Sequence, residues 1–170
     1  MRSLLAFITA FSLAASPLLA GGTFPNVTSD DLNGASKTLP RDLPGDPTIV
    51  FIAYKQNHQD DVNTWVYGMG LNPSQGPEFV EIPVVGRAAR MMKSVVDNGM
   101  RGGITDPDMR ARTITLYESV NSINRPLGFS GRDEIRVLLV RQNGDVLWSM
   151  SGPATDAGMR ELMALYQSSR

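Results

Sequence analysis

Apolar positions fall into short blocks whose spacing switches between that of a strand and that of a helix. Ile49 to Tyr54 is a continuous, largely β-branched and aromatic run bounded by turn residues, the pattern of a strand buried on both faces. Asp60 and Asp61 follow as acidic residues suited to a helix start. Val62, Trp65, Val66 and Met69 then recur at i, i+3, i+4 and i+7 and predict a helix. Gly68 and Gly70 weaken it and Asn72-Pro73 closes it. Phe79 to Val85 reads as a second strand, and Pro83 within it points to a sheet edge or a bulge. Ala88, Met91, Met92 and Val95 mark a second amphipathic helix ending near Asn98-Gly99. Gly102 to Pro107 reads as a loop, and Thr113 to Tyr117 alternates like a half-buried strand. Glu118 to Leu127 is a short helical stretch closed by Arg125-Pro126.

Ile135 to Val140 is a further strand. Asn143-Gly144 after it predicts a hairpin with positive φ at both turn positions. Val146, Trp148 and Met150 alternate on the return strand. Thr155 is placed to cap a last helix carrying Met159, Leu162, Met163 and Tyr166. Early strand–helix alternation gives parallel pairing, and the late hairpin adds an antiparallel pair. The expected architecture is a three-layer α/β domain over residues 47–170, with a mixed central sheet and a C-terminal hairpin and helix. Residues 21–46 read as a polar lead-in. Within it Gly21 to Ser29 carries no fixed element, Leu32-Asn33-Gly34 is a turn, and Thr38-Leu39-Pro40 is a short extended piece.

Residues 1–20 read as a secretory signal. Met1-Arg2 starts it, Leu4 to Ala15 is uncharged and apolar, and Leu18-Leu19-Ala20 gives a small-residue exit near Ala20. The run is shorter than the about 20 residues a membrane span needs. A retained membrane anchor is the alternative. With no cysteine after the apolar run, a lipid-modified cysteine is excluded. The expected location is the periplasm or the exterior. A mature chain of about 150 residues buries about 68–70% of its unfolded surface, enough for one core.

Composition removes several classes of chemistry. The chain has 16 Lys and Arg against 17 Asp and Glu, which excludes a nucleic-acid binder that works by bulk electrostatics. It has no cysteine, so disulfides, thiolate nucleophiles, Cys-bound metals and thiol redox chemistry of its own are excluded. It has one histidine, His58, so several imidazole ligands cannot converge within one chain. No cofactor is expected.

The element order, with Leu32-Asn33-Gly34 and Thr38-Leu39-Pro40 ahead of the strand Thr48 to Ala53 and the hairpin Val137 to Val146, resembles the thioredoxin fold in its exported, redoxin-like form. That resemblance implies a redox pair where the first strand meets its helix. Here those positions hold Gln56 and Gln59, which cannot form thiolates. It also implies a cis-proline near Ile135, where none stands. The stretch Val140 to Leu162, above all Gly144-Asp145-Val146-Leu147-Trp148 with Ser151-Gly152-Pro153-Ala154-Thr155, is similar to ATP10-like factors, which assist assembly of the membrane ATP synthase. Trp65 is a weaker echo of the same family.

Two clusters carry candidate chemistry. Lys55, Gln56, Asn57, His58, Gln59 and Asp61 stand at the carboxyl end of a strand and the start of a helix, where α/β sheets place ligands and backbone N–H groups favour anions. His58 with Asp60 or Asp61 is an acid–base pair, part of a metal site completed by a partner, or a solvated cap. Arg87, Arg90, Arg110 and Arg112, with Lys93 and Arg101 nearby, form either a patch for phosphate, lipid headgroups or an acidic partner, or an ordinary solvated face. The clustered methionines are core filler or soft Cu(I) ligands, and Trp65 and Trp148 are core residues or stacking platforms.

Two functions follow. The first is an exported binding module without redox activity that engages a protein partner in the cell envelope and assists its assembly or folding. The second is an enzyme or binding protein for a small anionic ligand, using the Gln56–Asp61 loop and the arginines. A passive subunit of a larger complex is a third reading.

Overall fold

The computed structural model describes residues 21–170. The segment read as a secretory signal, residues 1–20, lies outside the described residues. The first elements are two strands, β1 (Val27–Asp30) and β2 (Ser36–Leu39), paired antiparallel with Val27 opposite Leu39. The lead-in is therefore structured, against the expectation of no fixed element up to Ser29. Its apolar residues explain why: Phe24, Leu32, Leu39 and Leu43 are all buried.

The main sheet follows the predicted blocks. Strand β3 (Thr48–Ala53) leads into helix α1 (His58–Gly68), then strand β4 (Phe79–Pro83). A 3₁₀ segment, Arg87–Met92, runs into helix α2 (Lys93–Gly103). Short helices α3 (Pro107–Arg112) and α4 (Val120–Asn124) precede strands β5 (Arg136–Val140) and β6 (Val146–Ser151) and the last helix α5 (Asp156–Ser168). The strand order is β4-β3-β5-β6. β3 is parallel to β4 and antiparallel to β5, and β5 is antiparallel to β6, so the sheet is mixed as expected.

Beyond β4 the chain returns as an irregular edge. The N–H groups of Ile114 and Leu116 donate to the carbonyls of Glu81 and Pro83, at 2.9 and 2.8 Å. Thr113 to Tyr117 is fully buried here, whereas alternation alone predicts half-burial. Pro83 carries its missing donor toward this irregular edge and away from β3, which is how a proline is accommodated there.

Two clusters sandwich the sheet. On one face Val50, Ile52, Val80, Ile82, Leu138 and Val140 meet the β1–β2 hairpin and α4. On the other, Ile49, Phe51, Phe79, Val137 and Leu139 meet Val62, Trp65 and Val66 of α1 and Leu162 and Tyr166 of α5. Trp65 is fully buried, donates from Nε1 to the Gly152 carbonyl at 3.0 Å, and packs edge-on against Trp148 with ring centres 6.1 Å apart. The ring leaves no room for a side chain at position 158: a Cβ there would lie 3.1 Å from Trp65 and 2.7 Å from the Met150 sulfur. Glycine lets α5 approach α1.

Three local predictions need correction. The β5–β6 connection has positive φ only at Gly144 and not at Asn143. Gly144 N–H closes on the Arg141 carbonyl and Arg141 N–H on the Asp145 carbonyl, both at 2.9 Å. This is a three-residue hairpin turn that ends on a left-handed glycine, rather than a two-residue one. Residues 107–112, for which the sequence predicts no element beyond the loop ending at Pro107, form α3, because Asp106 accepts from the Asp108 N–H as a cap and Pro107 fits the first helical position. The second helical region continues past Asn98-Gly99 to Gly103, and its expected apolar stripe faces outward. Met91, Met92 and Val95 are exposed, and Asp97 is the buried residue of α2.

Replacement of the Trp65 ring empties the contact between α1, α5 and the sheet. We expect Trp65→Ala to lower the unfolding free energy by about 3–5 kcal/mol. Urea unfolding measures this, and a loss below about 1 kcal/mol would show that the ring is not the anchor.

Candidate functional site

The loop after β3 divides its residues between structure and surface. His58 is buried, and its Nδ1 accepts from the Tyr54 N–H at 3.3 Å. Its ring lies edge-on to that of Tyr54. Tyr54 donates from its hydroxyl to Asn124 Oδ1 at 2.5 Å, and Asn124 Nδ2 donates to the Gly131 carbonyl at 2.7 Å. Burial pushes the Tyr54 phenol up to about 12, so it stays a neutral donor. This chain of contacts fixes the loop to α4 and to the segment ahead of β5. Lys55 reaches that segment directly, at 2.8 Å from Asp133, and its ammonium holds the exposed Asp133 carboxyl below its usual value. Gln56, Asn57 and Gln59 are exposed. Asp61 lies in the first turn of α1, and its carbonyl accepts from Thr64.

The four arginines do not converge. Arg87 and Arg90 both bind Glu118, at 3.0 and 2.7 Å. Arg110 donates to the carbonyls of Ile104 and Arg101 at 2.6 and 2.9 Å, which clamps the end of α2 to α3. Arg112 pairs with Glu78 and donates to the Pro73 carbonyl at 2.9 Å. Each guanidinium holds a piece of the fold. Among the described residues, no group of three or more His, Cys, Asp or Glu is placed to hold a metal ion.

A cleft with a volume of about 990 Å³ lies between α1 and α2. Gln56, Gln59 and Tyr67 line one side, and Val95, Val96 and Met100 the other. Pro83, Val84 and Glu81 contribute to its lining from β4 and its extension. Glu81 is the residue that pattern reading passes over. Strand alternation puts it on the same face as Phe79, toward α1, opposite Phe51 on β3 and beside Thr113 on the outer edge. It is 7% exposed. Among the described residues, its one side-chain hydrogen bond comes from Gln59 Nε2, at 3.3 Å. Burial raises the Glu81 carboxyl above its ordinary value, and the Gln59 bond only partly offsets this. The signal in the sequence was a charged residue at a core-facing position of the run Phe79 to Pro83.

Helix α2, the second wall, is held by polar contacts. Asp97 accepts from Tyr117 Oη and Lys93 Nζ, both at 2.6 Å. Arg101 Nε donates to the Leu32 carbonyl at 2.6 Å. Burial and the bond to Asp97 raise the Tyr117 phenol.

Comparison with known proteins places this geometry in a class. The chain superposes on a candidate electron transfer protein from Aquifex aeolicus with a TM-score of 0.61 and 12% identity, over 89% of this chain and 94% of that one. A candidate thiol:disulfide interchange protein DsbE from Chlorobium tepidum gives 0.52 and 16%, over 88% and 96%. The exposed lipoprotein thioredoxin of Streptococcus pneumoniae gives 0.55 and 8%, over 85% and 99%. The chain has a thioredoxin-like fold, without a cysteine to serve it. No family model matches it, and no curated protein matches its sequence. Among the described residues no helix is long and apolar enough to cross a membrane.

Two predictions follow from the site. Glu81 takes up its proton at higher pH in the folded chain than in the unfolded chain, whose ordinary value is 4.5, so this group costs stability as pH rises. Glu81→Gln should leave the melting temperature unchanged near pH 4. At pH 8 it should raise it, by about 2–4 °C for each kcal/mol recovered. Equal melting shifts at both pH values would contradict the assignment. His58→Ala should lower stability by about 1–3 kcal/mol, because it strands the Tyr54 N–H, whereas Gln56→Ala should change it by less than about 0.5 kcal/mol. Denaturant unfolding of the two variants checks this contrast.

Proposed function

We propose that this chain is an exported, thioredoxin-like binding module that works without thiol chemistry, holding a protein partner in the cell envelope to assist its assembly or folding. The observation that carries this reading is the cleft beside Gln56 and Gln59. These residues stand where the resemblance places the redox pair, and they line an apolar recess of about 990 Å³. Tyr67 and Val95 line it and are 77 and 63% exposed, and Met91 and Met92, in the 3₁₀ segment that runs into α2, are 96 and 57% exposed. Such surface on a folded chain marks an interaction site, and methionine side chains adapt to varied partners.

Export rests on the charge, apolar run and small-residue exit of residues 1–20, with cleavage near Ala20. The assembly role rests on the likeness of the Gly144–Thr155 stretch to ATP10-like factors. The anionic-ligand alternative has less support, since Arg87, Arg90, Arg110 and Arg112 are each engaged by carboxylates or carbonyls and the buried charge-bearing group of the cleft is itself acidic.

The test is photocrosslinking in intact cells from position 56, since the side chain at 58 is buried. We expect a discrete protein adduct from positions 56 and 95. None should form from position 160, an exposed site on α5. Equal labelling from position 160, or no adduct from 56, would contradict the module reading.

A further inference from the structure

Glu81 stands out in the molecule because a core-facing position on β4 normally takes an apolar side chain. Its neighbours on that face, Phe51 and Phe79, follow the rule. Its carboxyl accepts one long hydrogen bond, from Gln59 Nε2 at 3.3 Å, and it lines the cleft. The other charged side chains that line the cleft are engaged elsewhere: Lys55 with Asp133 at 2.8 Å, and Asp106 as the cap of α3. A buried carboxylate gains most from a cation delivered through a dry, apolar passage.

Resting on the binding-module reading above, we propose that Glu81 makes the α1–α2 cleft selective for an apolar peptide segment of the partner that carries one lysine. The lysine stem is four methylenes long and suits the apolar walls formed by Val66, Leu71, Val96 and Met100. Its ammonium is a compact charge that can use the side of the carboxyl not taken by Gln59. An arginine fork needs both oxygens in one plane, and Gln59 already occupies one. The rest of the segment is apolar because the rim of the cleft carries the exposed apolar side chains of Tyr67 and Val95. A small amine would leave that rim in water, so the surface fits a peptide better.

The test measures binding of three heptapeptide pools to the intact protein by fluorescence anisotropy. The flanks are drawn from Val, Leu, Met and Ala, and the central residue is Lys, norleucine or Glu. We expect the Lys pool to bind at least tenfold more tightly than the norleucine pool and the Glu pool to bind weakest. In Glu81→Gln the Lys advantage should fall below threefold while norleucine binding persists. Circular dichroism confirms that this variant is folded, and the Lys-to-norleucine ratio of the native protein stands as a test without it. Equal Lys and norleucine binding in the native protein would overturn the selectivity and leave the module reading intact. Binding of dodecylamine with no peptide pool bound would overturn it in favour of a small-molecule site. No binding to any probe would overturn it too, and if position 56 also gave no adduct in cells, the module reading would fail with it.

Discussion

Strand alternation sends every second residue of β4 onto the face covered by α1, and at position 81 that residue is a glutamate. Phe51 lies opposite it on β3, Thr113 borders the outer side, and Glu81 lines the α1–α2 cleft. It must take its hydrogen bond from whatever α1 presents, and α1 presents Gln59. The α1–α2 cleft is lined by Glu81 and by Gln56 and Gln59.

The remainder of the fold keeps that cleft rigid on one side and loosely built on the other. Helix α1 is welded to the sheet through Trp65, the Gly152 carbonyl and the close approach of α5 at Gly158. The buried chain from His58 through Tyr54 and Asn124 to Gly131 fixes the loop at its start. Helix α2 has one buried side chain, the polar Asp97, and is attached by Tyr117, Lys93 and Arg101. Few apolar contacts and many polar ones describe an element of low local stability. A wall of this kind can adjust to an occupant while α1 and the sheet hold the register.

The fold was largely legible because its signals are local. The apolar run at Ile49–Tyr54, the stripe at Val62–Met69, the strand at Ile135–Val140 and the capped last helix each report burial directly through their period. The lead-in misled because Phe24, Leu32 and Leu39 are spaced too widely for either period, yet all three are buried, Phe24 and Leu39 against the sheet. The stripe at Ala88, Met91, Met92 and Val95 misled for the opposite reason. It has helical spacing, but the 3₁₀ turn changes the phase and Asp97 takes the inward position. Of the candidate site, the neighbourhood of Gln56 and Gln59 was legible from the strand-to-helix junction. The roles of His58 and the arginines were not, because hydrogen bonds to Tyr54, Glu118, Ile104 and Glu78 depend on tertiary placement. Glu81 was visible as a charge inside an apolar strand, but its meaning depends on which face of β4 is covered.

The chain joins a thioredoxin-like fold without cysteine to an apolar-lined cleft with a buried carboxyl, and the proposed recognition of a lysine-bearing segment rests on that carboxyl. That account depends on Glu81 being held out of water. The most direct measurement is a ¹³C NMR titration of the Glu81 side-chain carboxyl in the folded protein, assigned by its absence in Glu81→Gln. The account predicts a midpoint above the ordinary glutamate value of 4.5. A midpoint at or below that value would show a hydrated carboxylate and contradict the buried, cation-seeking group at the centre of the cleft.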